Sequence, residues 1–442
     1  MPPQLAVALL ATVAGSYLGA AEYLGLPTLH LAEPLLALCF GTAIVGAAFI
    51  LSWAAEAAQL DISAGLALAL LALLAVLPEY AVDFVFTYKA GVIYEAKGAC
   101  AASGGSDPCS LALANMTGAN RVLVGVGWPL VVLVASLAAW RSRRSGGSDS
   151  ASTSPGEVRL LPPLSAEVAF LGIATLYSLT LPLKSTLTLV DALVLVCIFA
   201  AYAWRLTKAP VEKPDLLGVS RWVGDSRPRR RRSLVVAMFV VAAIVILLTA
   251  EHFAESLVGT GTELGIDQFL LVQWVAPLAS ESPELIVACL YAWRLKASDS
   301  LGTLLSSKVN QWTLLVGTIP VVFALSATTT DGLPLDTEQR FELLLTAAQS
   351  LFAVALLVNL SLTISGAVAL LSLFMVQFLV SVVASPEVNR ITIIVLSVVY
   401  AVLALGQLAR RQRRARKLVA DGLVTPFSKL GEEQHDVAAA HE

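Results

Sequence analysis

Residues 280–284 spell Ser-Glu-Ser-Pro-Glu and lie in the middle of a long apolar segment, 267–294. Two carboxylates and a proline are costly in such a place. An ionisable group at the centre of a membrane costs about 3 kcal/mol, and proline removes one helical N–H donor. A second Pro-Glu pair follows Leu77 in an earlier apolar segment, 62–89. Two costly motifs in matching segments indicate a polar function inside a membrane.

The composition excludes an ordinary soluble protein. Of 442 residues, 57% are hydrophobic and 14% are charged, whereas soluble chains have about 25% charged residues. The sequence has no Cys-x-x-Cys pair, no metal-binding histidine cluster, no nucleophile with its base and no glycine-rich phosphate loop. We therefore predict that the chain is not an enzyme and uses no cofactor other than the ions that it transports.

The apolar segments predict an all-α, polytopic membrane protein, because about 20 apolar residues cross the hydrocarbon core as a helix. Twelve spans meet this criterion. They are 5–26, 34–58, 62–89, 111–139, 165–182, 187–205, 234–258, 267–294, 300–326, 340–359, 362–384 and 391–409.

The basic residues predict the orientation. With the N-terminus in the cytoplasm, 22 of the 29 Lys and Arg residues lie on the inner side, five lie outside and two lie within spans. We predict a plasma-membrane protein with both termini in the cytoplasm. The basic runs 229–232 and 410–417 are expected to contact anionic lipid, and no nucleic-acid partner is predicted.

The two halves of the chain share landmarks in the same order. Each Pro-Glu is followed after ten residues by a basic helix end, Lys89 or Arg294. Because the charge pattern puts Lys89 outside and Arg294 inside, the copies run in opposite directions, as in transporters with inverted repeats. The predicted parts are an extra helix (1–33), a first five-helix repeat (34–205), a basic linker (206–233), a second repeat (234–384), an extra helix with a basic end (385–417) and a disordered tail (418–442).

Two loops carry further predictions. The segment 141–158 is rich in Ser and Gly and is predicted to be a flexible inner loop. The outer loop 90–110 contains Cys100 and Cys109, which form a disulfide or remain two unpaired loop cysteines.

The Pro-Glu motifs predict cation binding by oxygen ligands. Pro78 and Pro283 are expected to break their helices and to free the carbonyls four residues earlier, beside Glu79 and Glu284. Carboxylates, carbonyls and hydroxyls suit Ca²⁺ or Na⁺. The other candidate ligands for a cation or proton are Asp83, Glu281, Ser280, Ser282, Thr117, Asn120, Ser307 and Gln311. As an alternative, the acids form structural ion pairs with one another and with Arg121 or Lys308.

The pattern resembles the sodium/calcium exchanger (calcium/cation antiporter) superfamily. The resemblance is carried by Ala75-Val76-Leu77-Pro78-Glu79 and Ser280-Glu281-Ser282-Pro283-Glu284, each followed by a span with a polar stretch, 114–120 or 301–307. It covers about residues 34–384. It implies a ten-helix core of two inverted repeats, in which Glu79 and Glu284 are the central ligands of a transported cation.

The chain departs from the family pattern at positions that bear on the counter-ion. The first repeat has Ala75-Val76 in place of a hydroxyl pair, and Arg121 and Gln311 stand where the family usually has Asn or Asp. Four acids against Arg121 and Lys308 leave a charge of −2, enough for one divalent ion or two protons. We therefore predict an antiporter that exchanges a cation, Ca²⁺ first and Na⁺ second, for H⁺ by alternating access. The alternative is a transporter of another solute, an anionic one, that uses Arg121 and Lys308.

Overall fold

The computed structural model describes residues 1–25, 27, 31–61, 77–100, 107–144, 153–209 and 216–430, and these are almost entirely helical. The helices are α1 (Pro3–Leu24), α2 (Glu33–Ala58), α3 (Leu77–Lys97), α4 (Pro108–Val122), α5 (Trp128–Arg144), α6 (Ser165–Ser178), α7 (Leu189–Leu206), α8 (Gly218–Gly224), α9 (Pro228–Leu264), α10 (Gln268–Trp293), α11 (Ala297–Asn310), α12 (Val316–Ser326), α13 (Thr337–Leu356), α14 (Ile364–Val383), α15 (Pro386–Arg410) and α16 (Gln412–Leu423).

Short elements complete the described chain. Two π-helical turns, Leu123–Gly127 and Gln311–Leu315, join α4 to α5 and α11 to α12. Three 3₁₀ turns are Pro162–Leu164, Leu181–Leu183 and Leu357–Asn359. The strands are β1 (Thr153–Ser154), β2 (Glu157–Arg159), β3 (Thr186–Leu187), β4 (Leu333–Pro334) and β5 (Ser361–Thr363).

The chain divides into two compact units, each drawn from both halves of the sequence. Unit 1 comprises Met1–Ala119, Val211–Pro283 and Thr318–Leu333, and unit 2 comprises Asn120–Pro210, Glu284–Gly317 and Pro334–Glu442. In unit 1, α1, α2, α8 and α9 share one apolar cluster, and α2, α3, α4, α9 and α10 share a second. In unit 2, α13 is the most deeply buried helix and packs against α6 and α15.

The predicted membrane spans correspond well to the helices. Ten helical segments in the described ranges are long and apolar enough to cross a membrane. The remaining two predicted spans, 62–89 and 267–294, correspond to α3 and α10, which carry the Pro-Glu motifs; residues 62–76 lie outside the described part of the chain.

Two of the predicted spans end in the wrong place. Helix α3 continues past Lys89 to Lys97. The ammonium group of Lys89 pairs with Glu255 of α9 at 2.6 Å, so its charge is satisfied within the protein and does not require the helix to end there. Helix α9 starts at Pro228 rather than 234, so the basic run 229–232 is helical. Its far end extends to Leu264, where Gly265 takes the left-handed conformation that ends a helix.

An ion pair fixes the start of α9. Arg231 donates from Nε and Nη2 to the two carboxylate oxygens of Asp61, at 2.6 and 2.8 Å, and Arg232 donates to the same carboxylate at 3.0 Å. These hydrogen bonds, first that from Arg231, lower the pKa of Asp61 from 3.8 to about 2. The carboxylate therefore stabilises the fold above pH 4, and this contribution is lost as the pH falls through 2.

We expect Asp61→Asn to destabilise the protein at pH 7 by about 1–2 kcal/mol, because hydrogen bonds to a charged group are lost. The difference from wild type should shrink as the pH falls from 4 towards 2. Thermal unfolding in a mild detergent at several pH values measures this. Asp225→Asn is the control, since Asp225 forms an exposed ion pair with Arg221 at 3.8 Å. An Asp61 effect that persists unchanged at pH 2 would contradict the assignment.

The predictions for the inner loop and the tail are partly wrong. Helix α5 runs to Arg144, and β2 pairs with both β1 and β5, so that part of 141–158 is regular structure. The tail contains α16. The end of α16 is held by Arg205 of α7, which donates from Nε to the carbonyl of Gly422 at 2.9 Å. The guanidinium of Arg205 also lies 4.1 Å from the ring centre of Phe427. The described chain is therefore ordered well beyond 418; residues 431–442 lie outside it.

A disulfide joins Cys100 to Cys109. We expect neither sulfur to be alkylated in the folded protein without reductant, and both to be alkylated after reduction and unfolding. Mass spectrometry of the peptides that contain these residues measures this, with Cys39, Cys197 and Cys289 as free-thiol references. Alkylation of Cys100 and Cys109 without reductant would contradict the bridge.

Candidate functional site

Three helices of unit 1 hold the first group of predicted ligands. Helices α3, α4 and α10 meet in one apolar cluster through Val82, Ala114 and Ala276. The approach of α4 to α10 is very close, because a Cβ atom on Gly118 would lie 1.7 Å from the carbonyl oxygen of Gln273. Only glycine permits this crossing, which fixes the level of α4 relative to α10.

The acids of unit 1 are deeply buried. Glu79 is 1% exposed, Asp83 3% and Glu281 2%. Asn115 of α4 donates from Nδ2 to Asp83 Oδ1 at 2.7 Å, which orients this carboxylate. The predicted ligand Thr117, also on α4, donates its hydroxyl to Leu113 O at 2.9 Å within its own helix. The structure thus holds Asp83 through an amide of the next helix, and the hydroxyl of Thr117 is bonded within α4.

The predicted helix break at Pro283 is wrong, because α10 runs through this residue continuously. Proline leaves the carbonyl of Ala279 without a backbone donor. The hydroxyl of Ser282 donates to that carbonyl at 3.3 Å, and the hydroxyl of Ser280 donates to Pro277 O at 3.3 Å. The neighbouring serines thus offset the lost backbone hydrogen bond. The carbonyl that Pro78 would free belongs to residue 74, outside the described residues.

Unit 2 holds the second group of predicted ligands and both predicted cations. Glu284 is 8% exposed, Ser307 7% and Gln311 fully buried. Lys308 is also fully buried, and its ammonium group donates to Asn120 at two places, Oδ1 at 2.6 Å and the backbone oxygen at 2.9 Å. The Lys308 ammonium group also lies 4.9 Å from the ring centre of Trp312. The oxygen of Asn120 that was predicted to bind a cation therefore binds the cation of a lysine.

Arg121 forms a buried ion pair that the sequence did not predict. Its Nη2 lies 2.6 Å from Glu342 Oε2 of α13, and the two side chains are 1% and 7% exposed. Gln349, two turns further along α13, donates to the backbone oxygen of Arg121 at 3.4 Å. The charge balance of −2 omitted Glu342. With Glu342 included and ionised, this set of five acids and two cations carries −3.

The π-helical turns lie at related places in the two halves. One follows Asn120 after two residues and the other follows Asn310 directly. A π-turn accommodates an extra residue in a helix and often marks a functional site. The first turn follows the predicted ligand Asn120 after two intervening residues, and the second begins at the predicted ligand Gln311. Nothing in the composition of either stretch had signalled these turns.

The predicted residues divide between the units. Unit 1 contains Pro78, Glu79, Asp83, Thr117, Ser280, Glu281, Ser282 and Pro283; unit 2 contains Asn120, Arg121, Glu284, Ser307, Lys308 and Gln311. The boundary between the units falls after Ala119, in the polar stretch 114–120, and after Pro283, in the second Pro-Glu motif. Glu342 was not among the predicted residues, and its signal in the sequence is an acid within the apolar segment 340–359.

A comparison with protein families assigns the chain. A family profile described as sodium/calcium exchanger protein matches residues 33–208 and 234–409. The chain belongs to this family. The predicted resemblance is confirmed, as is the prediction of an all-α, polytopic membrane protein built on repeats. Since the family consists of transporters, the prediction that the exchanger is not an enzyme is also confirmed.

Solved structures resemble the exchanger over most of its length. A crystal structure of an H⁺/Ca²⁺ exchanger named CAX is 39% identical, with a TM-score of 0.78, and the match covers 98% of this chain and 99% of that one. The structure of native YfkE is 12% identical, with a TM-score of 0.59, and covers 84% of this chain and 98% of that one, which shows a shared fold. No curated protein sequence matches the exchanger significantly.

Proposed function

We propose that the chain exchanges Ca²⁺ for H⁺ across a membrane by alternating access. Membership of the sodium/calcium exchanger family makes it a secondary cation antiporter. The choice of ions is supported by the 39% identical relative over nearly the whole chain, whose name gives H⁺ and Ca²⁺ as the exchanged ions.

The burial of the acids carries the proposal. Glu79 and Glu284 follow the two prolines of the repeated motif, and both lie almost entirely inside the protein. A buried carboxylate is stable with a bound cation or a bound proton, and it is costly with neither. Competition between Ca²⁺ and H⁺ for the same oxygens therefore couples the two ions. Oxygen ligands without sulfur or histidine suit calcium.

The contacts of Arg121 and Lys308 weaken the anionic-solute alternative. An anion would need a cation whose charge is not already satisfied inside the protein. The guanidinium of Arg121 pairs with Glu342, and the ammonium group of Lys308 has two oxygens of Asn120 as acceptors. Both cations thus already have partners within unit 2, and neither of these partners is one of the four acids that the structural-ion-pair alternative named.

The driving ion is tested in proteoliposomes that contain the full chain. We expect an imposed pH gradient to drive the uptake of Ca²⁺, because protons are the proposed counter-ion. A sodium gradient of the same size, with the pH difference collapsed by a protonophore, should drive none. Liposomes without protein are the control. Sodium-driven calcium uptake that survives the protonophore would overturn the proton assignment and make Na⁺ the counter-ion.

The proposed location is the plasma membrane, with both termini in the cytoplasm. The charge distribution supports this orientation, since the basic helix ends at Arg144 and at the start of α9 and the basic helix α16 would all lie on the inner side. The proposed partners are the lipid bilayer and inorganic cations, and no cofactor beyond the transported ions is proposed.

A further inference from the structure

Helix α3 carries a polar ridge that leads from the buried acids to the end of the helix. Residues spaced by four are neighbours on a helix surface and form a continuous ridge. The ridge consists of Glu79, Asp83, Thr87, Gly91 and Glu95. The adjacent ridge, Val82, Phe86 and Ala90, is apolar and buried. The acids of α3 therefore all lie on this one ridge, and the neighbouring ridge is apolar.

Exposure changes along this ridge. Glu79, Asp83 and Thr87 are at most 3% exposed, whereas Glu95 is exposed at the far end. The sixteen residues between Glu79 and Glu95 correspond to about 24 Å of helix. The ridge thus connects the buried acids with the membrane face at which α3 ends.

Thr87 is the unusual member. Its side chain is completely buried, and its hydroxyl has no hydrogen-bond partner among the described residues. Buried threonines in helices ordinarily donate to the carbonyl four residues earlier, as Thr249 does to Val245 at 2.7 Å in the same unit. Leaving a buried hydroxyl without such a bond destabilises the protein. The hydroxyl of Thr87 is thus suited to form transient hydrogen bonds with a proton carrier that moves along the ridge.

Gly91 keeps the ridge polar by the absence of a side chain. A Cβ atom at this position would lie 1.8 Å from the hydroxyl oxygen of Ser326 on α12. The hydroxyl of Ser326 therefore occupies the place where residue 91 would project. It donates to Val322 O at 3.0 Å within α12, and its lone pairs remain able to accept. In the turn that follows α12, Thr328 donates its hydroxyl to Glu95 at 2.6 Å. Hydroxyls from the end of α12 and the next turn thus lie beside the line between Thr87 and Glu95.

We infer that this ridge is the route by which protons travel between the buried acids and one face of the membrane. The inference rests on the proposed exchange of Ca²⁺ for H⁺. A proton enters at Glu95. Each hydroxyl accepts one proton and releases another, so that no net charge remains on Ser326 or Thr87. Neighbours on the ridge are about 6 Å apart, a distance that one water bridges. Chains of acidic side chains carry protons in pumps and transporters, and here hydroxyls and water link the acids at the two ends.

The charged groups next to the ridge do not interrupt it. Lys89 lies on another face of α3, where it pairs with Glu251 and Glu255 of α9 at 3.5 and 2.6 Å. The amide of Asn115 contacts Asp83 at Oδ1, and Asp83 Oδ2 has no hydrogen-bond partner among the described residues. One oxygen of Asp83 is thus held, and the other faces no described donor.

The test compares two transport modes of Thr87→Val, which keeps the shape and removes the hydroxyl. Proton-driven Ca²⁺ uptake should fall about tenfold or more. Exchange of labelled for unlabelled Ca²⁺ at equal pH, which moves no net proton, should stay within about twofold of wild type. Thr249→Val is the matched control, since Thr249 is equally buried in the same unit but bonded within its own helix. It should leave both modes unchanged.

The possible outcomes distinguish failure of the proposed proton route from failure of the proposed exchange of Ca²⁺ for H⁺. Equal loss of both modes in Thr87→Val would overturn the proton route, since the residue would then serve the structure or the cation. No loss in either mode would overturn it as well. Ser326→Ala gives a second measure, with a smaller loss confined to the proton-driven mode. Wild-type protein that exchanges Ca²⁺ but gains nothing from a pH gradient would instead refute the proposed counter-ion.

Discussion

Proton-driven calcium uptake falls at least ~100-fold in Glu79→Gln and in Glu284→Gln, because the number of charged oxygen ligands sets calcium affinity over several orders of magnitude. The amide keeps the size of the carboxylate and can neither release a proton nor carry the charge that binds calcium. Both residues are buried, so water cannot replace the lost oxygen. The measurement is the initial rate of ⁴⁵Ca uptake into proteoliposomes under a fixed pH gradient.

Glu338→Gln is the control for this experiment. Glu338 is an exposed acid in the first turn of α13, so the same substitution there should change the rate by less than twofold. Equal amounts of folded protein are checked by size-exclusion chromatography. If either glutamine variant transported at more than half the wild-type rate, that glutamate would not be a ligand, and Asp83 and Glu281 would be the next acids to replace.

Arg121→Met lowers the free energy of unfolding by about 3–5 kcal/mol, because it leaves the carboxylate of Glu342 buried without its cation. Glu342→Met has an effect of the same size for the converse reason. The double variant should be more stable than either single variant and close to wild type, since two apolar side chains then fill the place of the ion pair. Unfolding by heat or by a denaturing detergent, in mixed micelles, measures these differences.

An exposed pair in the same unit gives the reference. Arg159 contacts Glu157 at 3.2 Å, and its side chain is 51% exposed. Arg159→Met should therefore cost less than about 1 kcal/mol. If the double variant lost as much stability as the sum of the two single variants, Arg121 and Glu342 would act independently. The ion pair would then not be what holds α13 to the end of α4.

The helices could be predicted from the sequence because a membrane restricts the possible backbone structures. A backbone in hydrocarbon must satisfy its own hydrogen bonds, so every long apolar segment becomes a helix. This is why ten predicted spans match helical segments of the described chain. The helix ends were harder to predict. Lys89 was predicted to end its helix. Its partner Glu255 is distant in sequence, so a count of charges along the chain does not reveal the ion pair between them.

The sequence predicted which types of residue form the candidate site, but not which of these side chains contact one another. The repeated Pro-Glu motif pointed to Glu79 and Glu284, and the burial of both agrees with that choice. Glu342 was missed, because a single acid in an apolar segment does not reveal its partner. The ligand roles of the acids and the boundaries of the two repeats stay predictions. Continuity of α10 depended on the hydroxyl of Ser282, a contact that only coordinates reveal.

The bond from Lys308 to Asn120 has a consequence for how the protein responds to its surroundings. An ammonium group on a side chain is tethered, so its effective concentration at the amide oxygen does not depend on the solution. A dissolved monovalent ion can be diluted or replaced, whereas the ammonium group of Lys308 is covalently attached to the chain and cannot leave. Any free cation that reaches the oxygen of Asn120 must displace a competitor held there by the chain itself, at 2.6 Å. This amide is thus insulated from changes in salt that would empty or fill an open site.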